Sequence, residues 1–250
     1  MRPGQRTPAA NAALELQLAL GLNTSAPTPC GYLPDQVSMV DFILSDALDR
    51  AAYQKLMNSG FRRSGVVFYR PRCPTCQACR ALRVPVAEFR PSRSQRRAWR
   101  RNADLELRIG PPGYDAEREA LLECYQSRVH GERCGERLFD LMETLCTSGV
   151  ETIEMSYRLD GRLVGVGIVD VCDEGLSSVY FYYDPELRRR SLGVYSVLCE
   201  IEECRRRGLP YWYAGYYVAG SAKMSYKMQY RPCELLNDDG VWRPTIGNAR

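Results

Sequence analysis

The chain has 250 residues, of which 45% are apolar and 26% charged, a composition typical of a folded protein rather than a disordered one. Its length fits one large domain or two small ones, and we expect two. No apolar run reaches the roughly 18 residues that a transmembrane helix needs. Near the N-terminus, Glu15 and Gln17 interrupt the apolar stretch, so this segment fits a secretory signal poorly. We therefore expect a cytoplasmic protein without a membrane partner.

Positive charge is concentrated in one part of the sequence. Residues 60–110 contain 13 arginines and three acids, whereas the rest of the chain carries 21 lysines and arginines against 27 acids. This asymmetry indicates a polyanionic partner that docks on one part of the molecule. The segment GPPGYD at 110–115 is typical of a domain junction. We expect a flexible leader at 1–29, a cysteine-rich basic domain at 30–110 and a second domain at 111–250.

Elements of the first half follow from periodicity and turn residues. The patterns predict strands in VSMVDFIL, SGVVFYRP and ALRVPVAEF, with a helix in DALDRAAYQKLMNSG between the first two. Ser92, followed three residues later by Gln95, forms a capping box that predicts a helix beginning at Arg93. Five arginines of this helix would share a sector of about 140°, because each helical residue advances about 100°. This arginine stripe consists of Arg93, Arg96, Arg97, Arg100 and Arg101.

The arginine stripe is expected to bind phosphates. No acid lies among its members, and arginine is the side chain suited to bidentate phosphate contacts. Lys223 and Lys227, which flank Tyr226 in KMSYKM, are candidates to extend the same surface. The alternative is a solvated helix face, the usual role of a charged run.

The second half indicates a mixed α/β (α+β) fold. A helix in DAEREALLECYQSRV is followed by two β-rich runs around an Asp160–Gly161 turn, and then by the strand LSSVYFYYDP, a long helix ending at Gly208 and the strand YWYAGYYV. This order is that of a GNAT-type acyltransferase core, whose strands before and after the long helix splay apart. Their free backbone groups can hold an acyl carbonyl. The N-terminal cysteine- and arginine-rich domain is expected to be α+β, with a second GNAT-like unit as one option.

A cysteine cluster precedes the arginine stripe. Cys73, Cys76 and Cys79 have the spacing C-x₂-C-x₂-C, and Cys30 lies upstream in CGYLPD. Such spacing can bring thiolates to one centre, as zinc and iron–sulfur sites require. Eleven cysteines without a secretion signal indicate reduced thiols rather than a disulfide framework. Partly buried free thiols are the alternative, and most of the other seven cysteines are expected in the core.

Several segments together resemble one family, the aminoacyl-tRNA–protein transferases of the arginyltransferase type. These segments are CGYLPD, GFRRSGVVFYRPRCPTCQACRALRVPVAEFRPSRSQRRAWRRN, GVGIVDV, LSSVYFYYDP, RRSLG and KMSYK. The resemblance runs from about Cys30 to about Trp242 and is strongest to the short bacterial branch. It implies an N-degron enzyme that transfers leucine from leucyl-tRNA to the α-amino group of proteins beginning with Asp or Glu, which marks them for degradation.

The resemblance also implies roles for particular residues. The resemblance implies that the polyanionic partner is tRNA rather than DNA and that its phosphates lie along the arginine stripe. An aminoacyl ester is already activated, so the acyl step requires no cofactor, only a neutral amine held against the ester carbonyl. Asp170 and Tyr183 are candidates to relay the amine proton. A fixed cation for the acidic first residue is expected among Arg63, Arg70 and Arg83.

Three other functions stay open at this point. The donor could be arginyl-tRNA with the same acceptors. A GNAT acetyltransferase would use acetyl-CoA, and the basic turn RRRSLG resembles a pyrophosphate-binding loop at a helix N-terminus. A non-catalytic RNA-binding module with a metal-bound cysteine cluster would bind tRNA whatever amino acid it carries.

Overall fold

A computed structural model describes residues 15–17, 19–131 and 137–245. The helices are α1 (Arg50–Asn58), α2 (Arg93–Arg101), α3 (Ala116–Tyr125), α4 (Arg137–Cys146) and α5 (Leu192–Arg207). Shorter helical turns are Gln126–His130, Pro185–Arg190 and Ser225–Gln229. Within the described ranges, no helix has the length and apolar character needed to cross a bilayer.

The strands belong to a large sheet, a small sheet and a two-stranded ribbon. They are β1 (Asn23–Thr24), β2 (Thr28–Pro29), β3 (Val37–Ser38), β4 (Val40–Leu44), β5 (Arg62–Ser64), β6 (Val67–Pro71), β7 (Cys79–Pro85), β8 (Glu106–Gly110), β9 (Thr152–Leu159), β10 (Arg162–Cys172), β11 (Gly175–Tyr183), β12 (Tyr211–Val218), β13 (Glu234–Leu236) and β14 (Trp242–Pro244). The large sheet has the order β14-β13-β7-β12-β11-β10-β9-β8, and the small sheet has the order β1-β4-β6-β5.

Local sequence signals position two of these elements. Ser92 and Gln95 form both hydrogen bonds of the capping box at the start of α2. Asp160 and Gly161 both have positive φ, +50° and +81°, as a tight hairpin between β9 and β10 requires. Both predictions are confirmed. Each depends on residues only a few positions apart, so the local sequence is sufficient to predict it.

Helix α5 builds the main core on one face of the large sheet. It connects the parallel strands β11 and β12 and packs against both. Leu198 and Ile201 of α5 are buried together with Val84 of β7 and Trp212 of β12. Burial of each such side chain stabilises the fold by roughly 1.5–3 kcal/mol. The prediction of a mixed α/β fold with a GNAT-like core is confirmed.

The small sheet is attached to the large one through a second core and a buried ion pair. Tyr53 of α1 and Phe68 of β6 pack with Tyr213 of the large sheet. Arg63 of β5 and Asp170 of β10 form an ion pair of 2.6 Å whose two side chains are fully buried. The pair therefore fixes the N-terminal region against the strands of the second half.

The large sheet takes strands from both sides of residue 110, since β7 and β8 precede it. The two predicted domains, 30–110 and 111–250, therefore share one sheet. The division between them stays a prediction. The prediction of a flexible leader does not fit residues 19–29. In this segment β1 pairs with β4, and Leu20 and Leu22 pack on the second core. Residues 1–14 of the leader lie outside the described ranges.

The buried ion pair predicts a stability effect. Replacing Asp170→Asn leaves the Arg63 guanidinium buried without its counter-charge, so the free energy of unfolding should fall by about 3–5 kcal/mol in urea denaturation. Glu151→Gln is the control, because its ion pair with Arg50 is half exposed and should contribute less than about 1 kcal/mol. Equal, small losses in both variants would contradict an anchoring role for the buried pair.

Candidate active site

The parallel strands β11 and β12 separate partway along their length. They pair only over Gly175–Ser177 and Tyr211–Tyr213. Beyond these residues β11 continues to Tyr183 beside β10, whereas β12 continues to Val218 beside β7. The two facing edges leave backbone groups that a ligand can use. We call the opening between them the strand gap; it is the splayed arrangement that the sequence predicts.

Irregularities in both strands mark the start of the strand gap. The pairing of β11 with β10 skips Val179, and the pairing of β12 with β7 skips Ala214. Such bulges bend a strand away from its neighbour. Gly215 has a φ of +77°, and a Cβ atom there would lie 3.3 Å from Nζ of Lys227. Glycine thus permits both the backbone turn and the close approach of the lysine.

A buried carboxyl group lies at the base of the strand gap. Glu200 of α5 is 1% exposed and accepts hydrogen bonds from Trp212 Nε1 at 2.7 Å, Ser178 Oγ at 3.4 Å and Ser196 Oγ at 3.3 Å. Ser178 belongs to β11 and Trp212 to β12, so one carboxyl group bridges both strands and the helix between them.

The surroundings of Glu200 change its acidity. Burial raises the pKa of Glu200 from its ordinary value of 4.5 to about 7, although the bonds from Trp212, Ser178 and Ser196 oppose this increase. Near neutral pH the group can therefore either accept or release a proton, as a group that assists proton transfer must.

The helical turn Ser225–Gln229 lies against β12 beside the strand gap. The sequence assigns Lys227, which lies within this turn, and Lys223, two residues before the turn, to one surface. Lys223 is exposed, whereas Lys227 is buried and its Nζ donates a 2.9 Å hydrogen bond to the carbonyl of Tyr216. Burial and, to a smaller extent, the charge of Arg62 lower the pKa of Lys227 to about 8. Lys227 thus lies beneath the surface on which Lys223 can contact phosphate.

The arginine stripe lies on the outer face of α2, next to the first turn of α5. All its five members are exposed, and in the described part of the chain none of them forms an ion pair. Trp99 of α2 contacts Tyr195 of α5, with ring centroids 5.4 Å apart. Arg188 and Arg189, just before α5, are also exposed and extend the basic surface.

The two residues predicted to relay a proton have different surroundings. Asp170 is fully buried, where it accepts hydrogen bonds from Tyr53, Arg63 and Thr152 at 2.6–2.9 Å, so its position favours an anchoring role. Tyr183 is half-buried at the end of β11, stacked on Phe181 with centroids 5.7 Å apart. Of these two predicted residues, the structure brings only Tyr183 to the edge of the strand gap.

The three arginines predicted to recognise an acidic N-terminus each have an acidic partner. Arg63 pairs with Asp170 at 2.6 Å, Arg70 with Asp41 at 3.1 Å and Arg83 with Glu234 at 2.6 Å. Arg83 also lies over the Tyr211 and Trp242 rings. Since each is already neutralised, their positions give little support to a role in binding a further carboxylate.

Cys30, Cys73, Cys76 and Cys79 line one cavity of about 130 Å³, together with Tyr69 and Tyr216. Burial, and then the neighbouring thiols, raise the pKa of Cys79 to about 11. Among the described residues, however, no three cysteine, histidine or acidic side chains are grouped closely enough to hold a metal ion. The thiols share a cavity without forming a ready metal site, so no chemical step is assigned to a metal.

Sequence reasoning missed Glu200, although the sequence carries one signal for it. Within the predicted helix, Ser196 and Cys204 lie four residues before and after Glu200 and so share its face. A lone acid on the inner face of a helix is unusual unless it has partners. The partners Ser178 and Trp212 come from other elements and are evident only in the folded protein.

Comparison with known proteins gives a consistent assignment. Residues 28–97 match the model described as "Arginine-tRNA-protein transferase, N terminus", and residues 117–237 match that of its C terminus. A protein of Chromobacterium violaceum named aspartate/glutamate leucyltransferase is 42% identical to this chain, covering 90% of this chain and 94% of its own length. A protein of the same name from Nitrosococcus oceani is 43% identical, with 86% and 92% covered.

The fold also occurs among solved structures. An example is the C-terminal domain of a putative lysylphosphatidylglycerol synthetase from Agrobacterium fabrum, with a TM-score of 0.50 and 10% identity, covering 96% of this chain and 86% of that chain. At this identity the similarity concerns the fold alone.

The raised pKa of Glu200 predicts how stability depends on pH. The folded protein keeps the Glu200 proton up to about pH 7, whereas the unfolded chain releases it near pH 4.5. The folded state therefore binds more protons in this window, and stability falls as pH rises through it. Glu200→Gln removes this effect, so relative to the unsubstituted protein the variant should gain about 3 kcal/mol in unfolding free energy between pH 4.5 and 8.

Urea denaturation at several pH values measures this difference. Glu202→Gln is a matched control on the same helix, because the side chain of Glu202 is largely exposed. Its profile should follow that of the unsubstituted protein. Parallel pH profiles for Glu200→Gln and the unsubstituted protein would show that the carboxyl group does not titrate as its burial requires.

Proposed function

Because the chain belongs to the arginine-tRNA–protein transferase family, we propose that it transfers leucine from leucyl-tRNA to the α-amino group of proteins that begin with aspartate or glutamate. Two relatives that cover most of this chain are named aspartate/glutamate leucyltransferase, a name that states the leucyl group and the residues aspartate and glutamate. The reaction would take place in the cytoplasm and mark such proteins for degradation.

One observation carries the proposal: an open strand gap lies next to an exposed, unpaired basic surface. The gap offers backbone donors for an acyl carbonyl, and helix α2 with the arginine stripe packs directly against α5, which connects the two gap strands. Binding of tRNA phosphates along the stripe would bring the aminoacylated 3′ end of the tRNA towards the gap. Neither feature alone implies aminoacyl transfer, but their adjacency does.

In the proposed reaction, the leucyl ester lies in the strand gap with its carbonyl oxygen against backbone N–H groups of β11. The neutral α-amine of the acceptor attacks the carbonyl carbon, so that a C–N bond forms and the ester C–O bond to the ribose breaks. The amine proton passes to the departing ribose oxygen. Backbone donors stabilise the negative oxygen of the tetrahedral intermediate, and holding the two substrates together supplies much of the rate increase.

Ser178 and Glu200 are suited to carry the amine proton. Ser178 is half-buried on β11 at the start of the gap, and its hydroxyl group donates to Glu200 Oε1 at 3.4 Å. The hydroxyl can accept a proton from the amine while it passes its own to Glu200, whose pKa of about 7 suits both uptake and release. Ser178 would then contact the substrate, and Glu200 would act through it.

The cysteine cavity remains a candidate site for zinc or an iron–sulfur centre. The observation in favour is that all four predicted cysteines line one cavity. Binding would require the loop that carries Cys73 and Cys76 to close on the ion, since the described thiols are not grouped for coordination. If a centre forms, protein purified without oxygen should contain stoichiometric zinc or iron, and Cys76→Ser should lose it. Metal-free protein that folds and transfers leucine would rule out a required centre.

The proposed function is tested by the products of transfer. The protein is incubated with tRNA charged with radioactive leucine or arginine and with peptides that begin with Asp, Glu, Lys or Ala. Label should appear on the Asp and Glu peptides and only from leucyl-tRNA. Label from arginyl-tRNA would show that leucyl-tRNA is not the specific donor. Transfer to the Lys peptide would refute acidic N-terminal residues as the acceptors. Transfer of an acetyl group from acetyl-CoA would refute aminoacyl transfer as the reaction.

The arginine stripe is tested by the salt dependence of tRNA binding. Each phosphate contact that is lost should reduce the slope of log affinity against log salt by about 1. Arg97→Gln combined with Arg100→Gln should therefore reduce the slope by about 2 and leave the KM for the acceptor peptide unchanged. Arg206→Gln is the control, because this exposed arginine pairs with Glu203 near the other end of α5. An unchanged slope in the double variant would remove the stripe from the tRNA-binding surface.

A further inference from the structure

Two buried cations near the strand gap have no acidic partner. Arg62 is 4% exposed and Lys227 is 9% exposed, and no carboxylate of the described residues forms an ion pair with either. Nη1 of Arg62 donates to the carbonyl groups of Met57 and Phe61 at 3.4 and 2.5 Å. Its Nε and Nη2 atoms are buried, and no acceptor of the described chain is within hydrogen-bonding distance.

This arrangement is costly unless an anion binds there. A buried charge without a counter-ion destabilises a fold, and a buried donor without an acceptor adds to that cost. The rings of Tyr213 and Tyr216, each 5.7 Å from the Arg62 guanidinium, offset part of it by cation–π attraction. The charge of Arg62 also disfavours protonated Lys227. An anion between or beside the two cations would relieve both penalties.

Lys227 is the one of the two that reaches the strand gap. Its Nζ bonds to the carbonyl of Tyr216 and lies against Gly215, on the part of β12 that has separated from β11. In an N-terminal aspartate or glutamate, only a few bonds separate the side-chain carboxylate from the α-amine. A residue that recognises this carboxylate must therefore lie beside the position where the amine attacks. The separated part of β12, against which Lys227 lies, borders the gap in which that attack is proposed.

We propose that Lys227, with Arg62 behind it, binds the side-chain carboxylate of the first residue of the acceptor protein. This inference rests on the proposed function, because it names the group that selects its acceptor. A tRNA phosphate is the other anion that two cations could bind. The burial of both cations favours a single carboxylate that enters the gap over the phosphates of a tRNA backbone.

The test compares two substitutions of one lysine. Lys227→Gln removes the charge but keeps a donor for the Tyr216 carbonyl, whereas Lys227→Arg keeps the charge. Binding of fluorescent peptides that begin with Asp or Asn is measured without tRNA, and KM values for both peptides and for leucyl-tRNA are measured in the transfer assay. Arg62→Gln is a second charge-removing variant, and Arg231→Gln, at an exposed arginine soon after the same helical turn, is the control. Thermal unfolding establishes that each variant is folded.

Removing the charge should weaken binding of the Asp peptide by roughly tenfold or more, as expected for the loss of a charge-assisted hydrogen bond. The preference for Asp over Asn should then disappear in Lys227→Gln and Arg62→Gln, whereas Lys227→Arg should keep most of it. Arg231→Gln should bind like the unsubstituted protein, and the KM for leucyl-tRNA should change in none of them.

The inference and the proposed function fail in different ways. An unchanged preference for Asp in the folded charge-removing variants, or a rise in the KM for leucyl-tRNA instead of that for the peptide, overturns the inference. Equal binding of Asp and Asn peptides by the unsubstituted protein also overturns it. A protein that binds Asp peptides through Lys227 but transfers no leucine contradicts the proposed function and leaves the inference supported.

Discussion

The carboxyl group of Glu200 lies where β11 and β12 stop bonding to each other, and its hydrogen bonds link side chains of the two strands. Trp212 Nε1 holds one carboxyl oxygen from β12, while Ser178 and Ser196 hold the other from β11 and α5. A split sheet exposes unsatisfied backbone edges, so it persists only if other contacts keep the strands apart and in place. The same buried carboxyl group, with its pKa raised by burial, lies one hydroxyl group away from the open strand gap. In the proposed mechanism, one residue therefore provides both structural support and proton transfer.

The cationic side chains described above fall into three groups with different physical roles. Arg63, Arg70 and Arg83 are neutralised by acids, and the Arg63–Asp170 pair joins the small sheet to the large one. The arginine stripe is exposed and unpaired among the described residues, as a surface that binds phosphates must be. Arg62 and Lys227 form a third case, buried yet unpaired. An anionic ligand that supplied the missing charge would offset the cost of burying them.

How far the sequence predicts this arrangement depends on the range of the interactions. The capping box at Ser92, the Asp160–Gly161 hairpin and the order strand, helix, strand in the second half depend on local patterns, and the structure confirms them. The splayed core follows from that order. The family resemblance rests on motifs along most of the chain, and the comparisons confirm it.

The chemistry of individual side chains was less accessible from sequence. Arg62 and Arg63 are neighbours with the same charge, yet only Arg63 meets Asp170, which lies 107 residues later. No local pattern distinguishes the two. Glu200 likewise gains its partners from β11 and β12, and the burial that raises its pKa exists only after packing. The sequence predicts a proton relay at Asp170 and carboxylate binding at Arg63, Arg70 and Arg83. The residues that pair with them lie in distant segments, so the sequence does not show that these charges are already neutralised.

The central claim is that aminoacyl transfer takes place in the strand gap between β11 and β12. The most direct test is a structure of the protein with tRNA that carries leucine through a stable amide at its 3′ end. We expect the leucyl carbonyl within hydrogen-bonding distance of the β11 backbone near Ser178 and Val179, with tRNA phosphates along Arg93, Arg96, Arg97, Arg100 and Arg101. A leucyl group bound away from the gap, or a gap closed by direct pairing of the two strands, would contradict the claim.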